Sequence, residues 1–216
     1  MGTRLHLIRH GQSVWNVEKR FQGHADPPLS EKGRQQAQRL ALRFREIDIA
    51  AVYASPLQRA QHTADAIAAA KGLSVFTDER LKERDVGLFT GLTWEEIVER
   101  YPDIARSWGA FQSVAMPRGE AHDALQERAG QALAEIVREY VDRDVVVVSH
   151  GGLLGAYLLK LLKTDPDLGR LFHFDNASVT LVELNGERPH LHRVNDISHL
   201  LWVDPSGSRH ERVRSL

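Results

Sequence analysis

No cysteine occurs anywhere in the chain. That excludes disulfides, thiolate zinc sites and a cysteine nucleophile. Nor is there an excess of either charge: 28 Lys and Arg against 29 Asp and Glu leave a formal net charge of −1. No global field therefore draws in nucleic acid or an anionic membrane, and affinity for an anion has to come from a local cluster. No apolar run approaches the roughly 20 residues that span a bilayer. The N-terminal run is too short and too interrupted for a signal peptide, and His6 spoils the match to a myristoylation signal that Gly2 begins. No repeat, low-complexity block or Pro/Gly/Ser-rich linker divides the sequence. The expectation is a soluble, cytoplasmic protein with no nucleic-acid and no membrane partner. Its 216 residues suffice for one good core.

What is present is an alternation of short apolar runs and helical patterns. Leu5 to Ile8 reads as a strand that ends at Arg9-His10-Gly11. Ser30 to Ile47 has helical spacing with Ser30 as its cap. Ala50 to Ala54 is a strand candidate, after which Ser55 as N-cap and Pro56 at the first helical position start a helix that Gly72 ends. Leu73 to Phe76 reads as a third strand. Leu81 to Gly91 is loop-like, Thr93 to Tyr101 is helical until Pro102 breaks it, and Ala124 to Val141 is a long amphipathic helix. Val145 to Val148 has the composition of a strand buried on both faces of a parallel sheet. A helix from Leu153 to Leu162 follows, then strands Ser178 to Leu184 and His190 to Val194 around an Asn185-Gly186 hairpin.

This alternation predicts an α/β fold, a three-layer α/β/α sandwich whose mainly parallel sheet carries an antiparallel edge strand. One domain over residues 1–203 is expected, with an insertion around 88–122 and a polar tail over 204–216.

Two histidines sit in matching contexts. His10 and His150 each stand just past an apolar strand and just before glycine. Sites in open α/β sheets form at such carboxyl ends. Adjacent central strands would bring both imidazoles into one crevice, although 140 residues separate them. Taken singly, either of them is more simply a turn residue among eleven histidines, and it is the pairing of contexts that favours a site. Arg9 adjoins His10, and Arg59 lies in the first turn of a helix, a natural place to hold phosphate. On its own Arg59 reads equally well as a solvated helix arginine.

The residues also spell a family. Arg9-His10-Gly11-Gln12-Ser13, Trp15-Asn16, Phe21-Gln22-Gly23, Pro28 to Gly33, Ser55 to Ala60, Leu81-Lys82-Glu83, Ser149 to Gly152, and Asn195-Asp196 with His199-Leu200 occur in order. In this the chain resembles the histidine phosphatase, or phosphoglycerate mutase-like, superfamily over nearly its whole length. The resemblance implies that His10 is the nucleophile that becomes phosphohistidine. It implies that Arg9, Arg59 and His150 hold phosphoryl oxygens, and that Glu83 is the general acid. It further implies that Asn16, Gln22, Gly23 and Gly151 line the phosphate or substrate pocket. No cofactor and no metal are implied, because arginines neutralise the phosphate. The chemistry agrees: phosphoryl transfer needs in-line geometry and neutralised oxygens, nearby cations keep an imidazole unprotonated, and an alkoxide leaving group needs a proton. Composition alone would not choose Glu83 over Glu79, Asp85 or Glu95.

Three activities fit the resemblance: a phosphomonoester hydrolase, a cofactor-dependent phosphoglycerate mutase, and a non-catalytic phospho-ligand binder. The hydrolase is favoured. The stretch from Thr93 to His122 holds Arg100, Arg106 and Arg118 but no adjacent arginine pair, and is rich in Trp94, Trp108, Phe111 and Met116. Those aromatics suit either an apolar pocket wall or simple packing of the insertion. Thr90 stands where relatives often carry Glu, and Ala121 where Ser is frequent. The partner expected is a small phosphomonoester, and the assembly a monomer or homodimer.

Overall fold

Leu5, Leu7 and Ile8 have no exposed surface, and the strand they form, β1 (Thr3–Arg9), lies inside the sheet. The computed structural model describes residues 2–109, 116–164, 171–186 and 188–201, with the backbone alone for 107–109. Phe111 and the polar stretch 204–216 lie outside the described residues, as does the side chain of Trp108.

The remaining strands are β2 (Ile49–Ala54), β3 (Val75–Thr77), β4 (Asp144–Ser149), β5 (Val179–Asn185) and β6 (Arg188–Asp196). They form one sheet in the order β3-β2-β4-β1-β5-β6. The first four run parallel, and β5 runs against both β1 and β6. Val145 to Val148 are wholly buried, as the unbroken β-branched run requires of a central strand. Each contributes on the order of 1.5–3 kcal/mol of burial. The hairpin turns at Gly186, whose positive φ of 59° suits a residue without Cβ.

Helices cover both faces. Helices α2 (Glu31–Phe44) and α3 (Gln58–Lys71) pack on Ile8, Val52, Val146 and Val148. The long helix α6 (His122–Glu139) and the apolar helix α7 (Gly151–Leu161) pack on Leu5, Leu7, Val145 and Val147. Three short helices, α1 (Val14–Val17), α4 (Trp94–Arg100) and α5 (Pro102–Gly109), complete the α-helices among the described residues. Around α4 and α5, Val86, Phe89, Ile97 and Met116 make a separate small core against which Trp94 packs.

Both helix boundaries marked by proline differ from expectation. Helix α3 begins at Gln58, not at Pro56, and Ser55 does not cap it. The Asp26 carboxylate, from a distant loop, accepts the Gln58 N–H at 2.8 Å instead. The helix end near Arg59 is thus already engaged by a carboxylate. Pro102 ends one helix but also opens the next, because its ring already fixes a helical φ and its missing N–H is not needed there.

At the amino end of β1, far from His10, lies a cavity of about 560 Å³ lined by Arg4, His6, Arg43, Asp144, Arg193 and His199 among others. Its charges answer one another: Arg4 and His6 bond Asp144 at 2.6 and 2.9 Å, and Arg43 bonds Asp196 at 2.6 Å and His199 at 3.0 Å. Burial, reinforced by Arg43, lowers His199 to about 4. Burial likewise lowers His6, against the pull of Asp144. The unfolded imidazole titrates near 6.5, so between pH 6.5 and 4 the unfolded chain binds a proton that folded His199 refuses. Its stability contribution is complete above about pH 6.5 and is lost as pH falls, at about 1.4 kcal/mol per unit. His199→Gln should therefore narrow the stability gap between pH 7 and pH 5 by roughly 2 kcal/mol. Denaturant melts at both values measure it, and an unchanged gap would show that His199 does not titrate this way.

Candidate active site

The parallel pairing of β1 with β4 places Arg9 opposite Ser149. The next residue on each strand is therefore His10 and His150, and their rings meet with centroids 5.1 Å apart. Both are buried, at 3% and 0% exposure. The strand register alone thus explains how residues distant in sequence come to share one crevice at the carboxyl edge of the sheet.

His10 is held from several sides. Its Nδ1 lies 2.7 Å from the Gly11 carbonyl oxygen, which can only accept, so Nδ1 carries the proton and Nε2 the lone pair. The backbone is fixed by His10 N–H to Ser149 O at 2.9 Å and Gly11 N–H to the Thr63 hydroxyl at 3.0 Å. Burial, then Arg59 and then Arg9, lower the His10 imidazole well below the ordinary histidine range. The neutral, nucleophilic form is the stable one. His150 is lowered in the same way, by burial first and then by Arg59, His10 and Arg9.

Arg59 is completely buried. Its terminal nitrogens donate to Ala25 O at 2.7 Å and Gly23 O at 2.9 Å. Burial lowers it to about 10, against the attraction of Glu83 and Asp26, so it stays a cation at neutral pH. Arg9 donates to the Phe174 carbonyl. Arg9 Nε, Arg59 Nε and His150 Nδ1 are each buried without a hydrogen-bond partner in the protein. Leaving a buried donor unpaired costs about 1–3 kcal/mol. Three such atoms in one crevice mark a place built for an external acceptor.

Glu83 reaches the same crevice from the irregular segment after β3. Its Oε1 accepts N–H groups from Arg84 and Leu153 at 2.8 and 3.0 Å, and its Oε2 accepts that of Gly152 at 3.1 Å. The carboxyl thus caps α7, where the amide dipoles favour an acceptor. Gly152 leaves room for this: a Cβ there would stand 2.5 Å from Oε1 and push the carboxyl from its place.

The structure brings all nine sequence-selected residues to one place. Asn16 Oδ1 accepts the Ser13 N–H at 3.0 Å and an N–H of Asn176 Nδ2 at 3.2 Å. Gln22 Oε1 accepts from Ser13 Oγ at 2.9 Å. Gly23 supplies a carbonyl to Arg59 at a φ of 50°. Gly151 opens α7, and a Cβ on it would lie 3.6 Å from Arg9 Nε, so the chain passes close to the guanidinium.

Sequence reasoning missed four contributors. Ser55 Oγ lies 2.9 Å from His150 Nε2, Thr63 braces Gly11, Asn176 Nδ2 donates to His10 O at 3.2 Å, and Arg128 grips the segment that carries Glu83. All act on backbone or on distant partners, so no spacing announces them. Among the described residues, no group of three His, Asp or Glu is placed to hold a metal ion, and no helix is long and apolar enough to cross a membrane.

The family model for the histidine phosphatase superfamily (branch 1) matches residues 5–197. Phosphoserine phosphatase 1 of Hydrogenobacter thermophilus is 35% identical over 199 residues, covering 92% of this chain and 94% of that protein. A metal-independent phosphoserine phosphatase of Arabidopsis thaliana is 36% identical over 205 residues, covering 93% and 84%. Among solved structures, Bacillus stearothermophilus YhfR superposes with a TM-score of 0.85 at 35% identity, covering 92% of this chain and 99% of that one.

Proposed function

The chain belongs to the histidine phosphatase superfamily, and we propose that it hydrolyses a small phosphomonoester through a phosphoryl intermediate on Nε2 of His10. The observation that carries this reading is the orientation of His10. Its Nδ1–H is committed to Gly11, which leaves the Nε2 lone pair as the nucleophile. Arg9 Nε, Arg59 Nε and His150 Nδ1 are the buried donors for the phosphoryl oxygens. Ser55 suits that role of His150: its Oγ accepts the Leu57 N–H and can give its own proton to Nε2, which leaves the imidazole proton on Nδ1.

In the first step the Nε2 lone pair forms the N–P bond as the ester P–O bond breaks. The departing oxygen keeps that electron pair and takes the proton of the Glu83 carboxyl, leaving as an alcohol. In the second step water attacks phosphorus and gives a proton to Glu83. The P–N bond breaks, its pair returns to Nε2, and inorganic phosphate leaves. Oε2 of Glu83 accepts one N–H where Oε1 accepts two, so Oε2 is the oxygen with room for the travelling proton.

Hydrolysis is favoured over mutase turnover because the segment that would clamp a second anionic group is poorly furnished. Arg100 and Arg118 face solvent, and Arg106 is paired with Asp103. The names of the phosphoserine phosphatases among its relatives put phosphoserine first among the esters to try. Phosphate release from a panel of phosphomonoesters without added metal, beside a phosphoglycerate mutase assay, tests the reading. Release should exceed mutase turnover for at least one alkyl ester, and the reverse would sink the hydrolase assignment.

A further inference from the structure

Arg128 stands on α6, outside the phosphate crevice, yet its guanidinium is aimed at the chain that carries Glu83. Nη1 donates to the carbonyl oxygens of Arg80 and Lys82, both at 2.7 Å. Nη2 donates to the Glu83 carbonyl at 2.9 Å and to Glu120 Oε2 at 2.8 Å. Nε donates to Glu120 Oε1 at 2.6 Å. The five N–H groups of a guanidinium are thereby all used: three on main-chain oxygens before and at Glu83, two on one carboxylate that fixes the plane.

The segment needs such a brace. Its 3₁₀ turn ends at Leu81, and Lys82 is already extended, so no ladder holds the main chain at Glu83. The carboxylate that orients Arg128 is itself anchored, since Glu120 N–H donates to Asp85 O at 2.9 Å. Gly119 permits that approach, because a Cβ there would meet the Asp85 oxygen at 2.6 Å. His24 Nε2 adds a second donor to the Glu83 carbonyl at 2.8 Å.

We propose that Arg128 is a positioning residue for the reaction: it fixes the Glu83 main chain so that the carboxyl stands where the leaving oxygen departs. This rests on Glu83 as proton donor. A lysine could not replace it, because one ammonium cannot reach three carbonyls and keep a bidentate carboxylate.

The leaving group separates positioning from mere packing. An alkyl phosphate such as glycerol 2-phosphate must have its leaving oxygen protonated. Nitrophenolate leaves as a stable anion, so p-nitrophenyl phosphate hardly needs the acid. The ratio of kcat/KM for these two esters, taken on one preparation, does not depend on how much of the protein is folded. Glu83→Gln should lower the alkyl-to-aryl ratio roughly 10²-fold. Arg128→Gln should lower it by about tenfold or more, as expected for a misplacement on the order of 1 Å, and Glu120→Gln should lower it less. If Glu83→Gln shifts the ratio while Arg128→Gln leaves it at the wild-type value, the positioning role falls and the donor role stands. If Glu83→Gln itself leaves the ratio unchanged, the donor role falls first and takes the positioning role with it. Should Arg128→Gln not yield folded protein, Arg128→Lys carries the same test, with the same expected drop and the same overturning result.

Discussion

Replacing His10 with alanine should lower kcat/KM by roughly 10⁴-fold or more, since it removes the proposed nucleophile of a unit whose members act together. The wild-type enzyme, quenched in alkaline denaturant during turnover of a labelled ester, should retain label on the protein. A phosphoramidate survives alkali and is lost in acid, which distinguishes it from a phosphoserine ester. The alanine variant should retain no label. The fold should survive the change. The His10 main-chain bond to Ser149 and the Gly11 bond to Thr63 do not involve the imidazole, and the side-chain bond lost is the one to Gly11 O. The expected stability cost is a few kcal/mol for a buried side chain exchanged for a cavity. Labelled protein in the alanine variant would move the phosphoryl acceptor to another residue, with His150, whose ring is 5.1 Å away, as the first suspect.

Changing Arg59 to lysine should cost on the order of 10³-fold in kcat/KM even though the formal charge is kept. The guanidinium does two things at once. Its terminal nitrogens tie down Gly23 O and Ala25 O, and its buried Nε is left for a phosphoryl oxygen. An ammonium on a flexible stem cannot hold both carbonyls and also present a donor in the plane of the phosphate. Arg59→Met should lose as much activity and show a further effect. Arg59 is, after burial, the largest influence that keeps the His10 imidazole unprotonated. Without it the acid limb of the kcat/KM profile should move toward higher pH. The two carbonyls left without partners should also lower thermal stability, by about 1–3 kcal/mol each, partly offset because a buried cation has been removed. Product inhibition by inorganic phosphate should weaken in step with activity. A loss below tenfold would mean that Arg59 serves the loop and not the phosphate.

Much of the scaffold was legible because local chemistry and tertiary environment agree. Val145 to Val148 read as a doubly buried strand and are one. Ser30 read as a cap, and its hydroxyl accepts the Gly33 N–H at 3.1 Å. The reading failed where the deciding partner is far along the chain. Ser55-Pro56 has the form of a helix start, but the Ser55 hydroxyl is taken by His150, 95 residues away, and the helix is capped by Asp26. Among candidate site residues, His10 and His150 announced themselves through matching strand ends. Glu83 did not: nothing local separates it from Glu79 or Asp85, and only the passage of the chain beneath α7 selects it. Arg128 and Asn176 were invisible for a related reason. Their targets are main-chain oxygens, which every residue possesses and no pattern of side chains can advertise.

The strand order also sets a timetable for the growing chain. Both neighbours of β1 come late: β4 begins at Asp144 and β5 at Val179. At a synthesis rate of about 5–20 residues per second, the apolar strand that ends at Arg9 waits roughly 7 to 28 seconds before its first partner has been made. On the proposed mechanism, a nascent chain already holding Arg9, His10, Arg59 and Glu83 is catalytically silent during that interval, because His150 and the amides of Gly152 and Leu153 do not yet exist. The same interval leaves Leu5, Leu7 and Ile8 uncovered and available to a chaperone or to a neighbouring nascent chain. A crevice at the seam between the first and fourth strands is thus not assembled until more than two-thirds of the protein has been made.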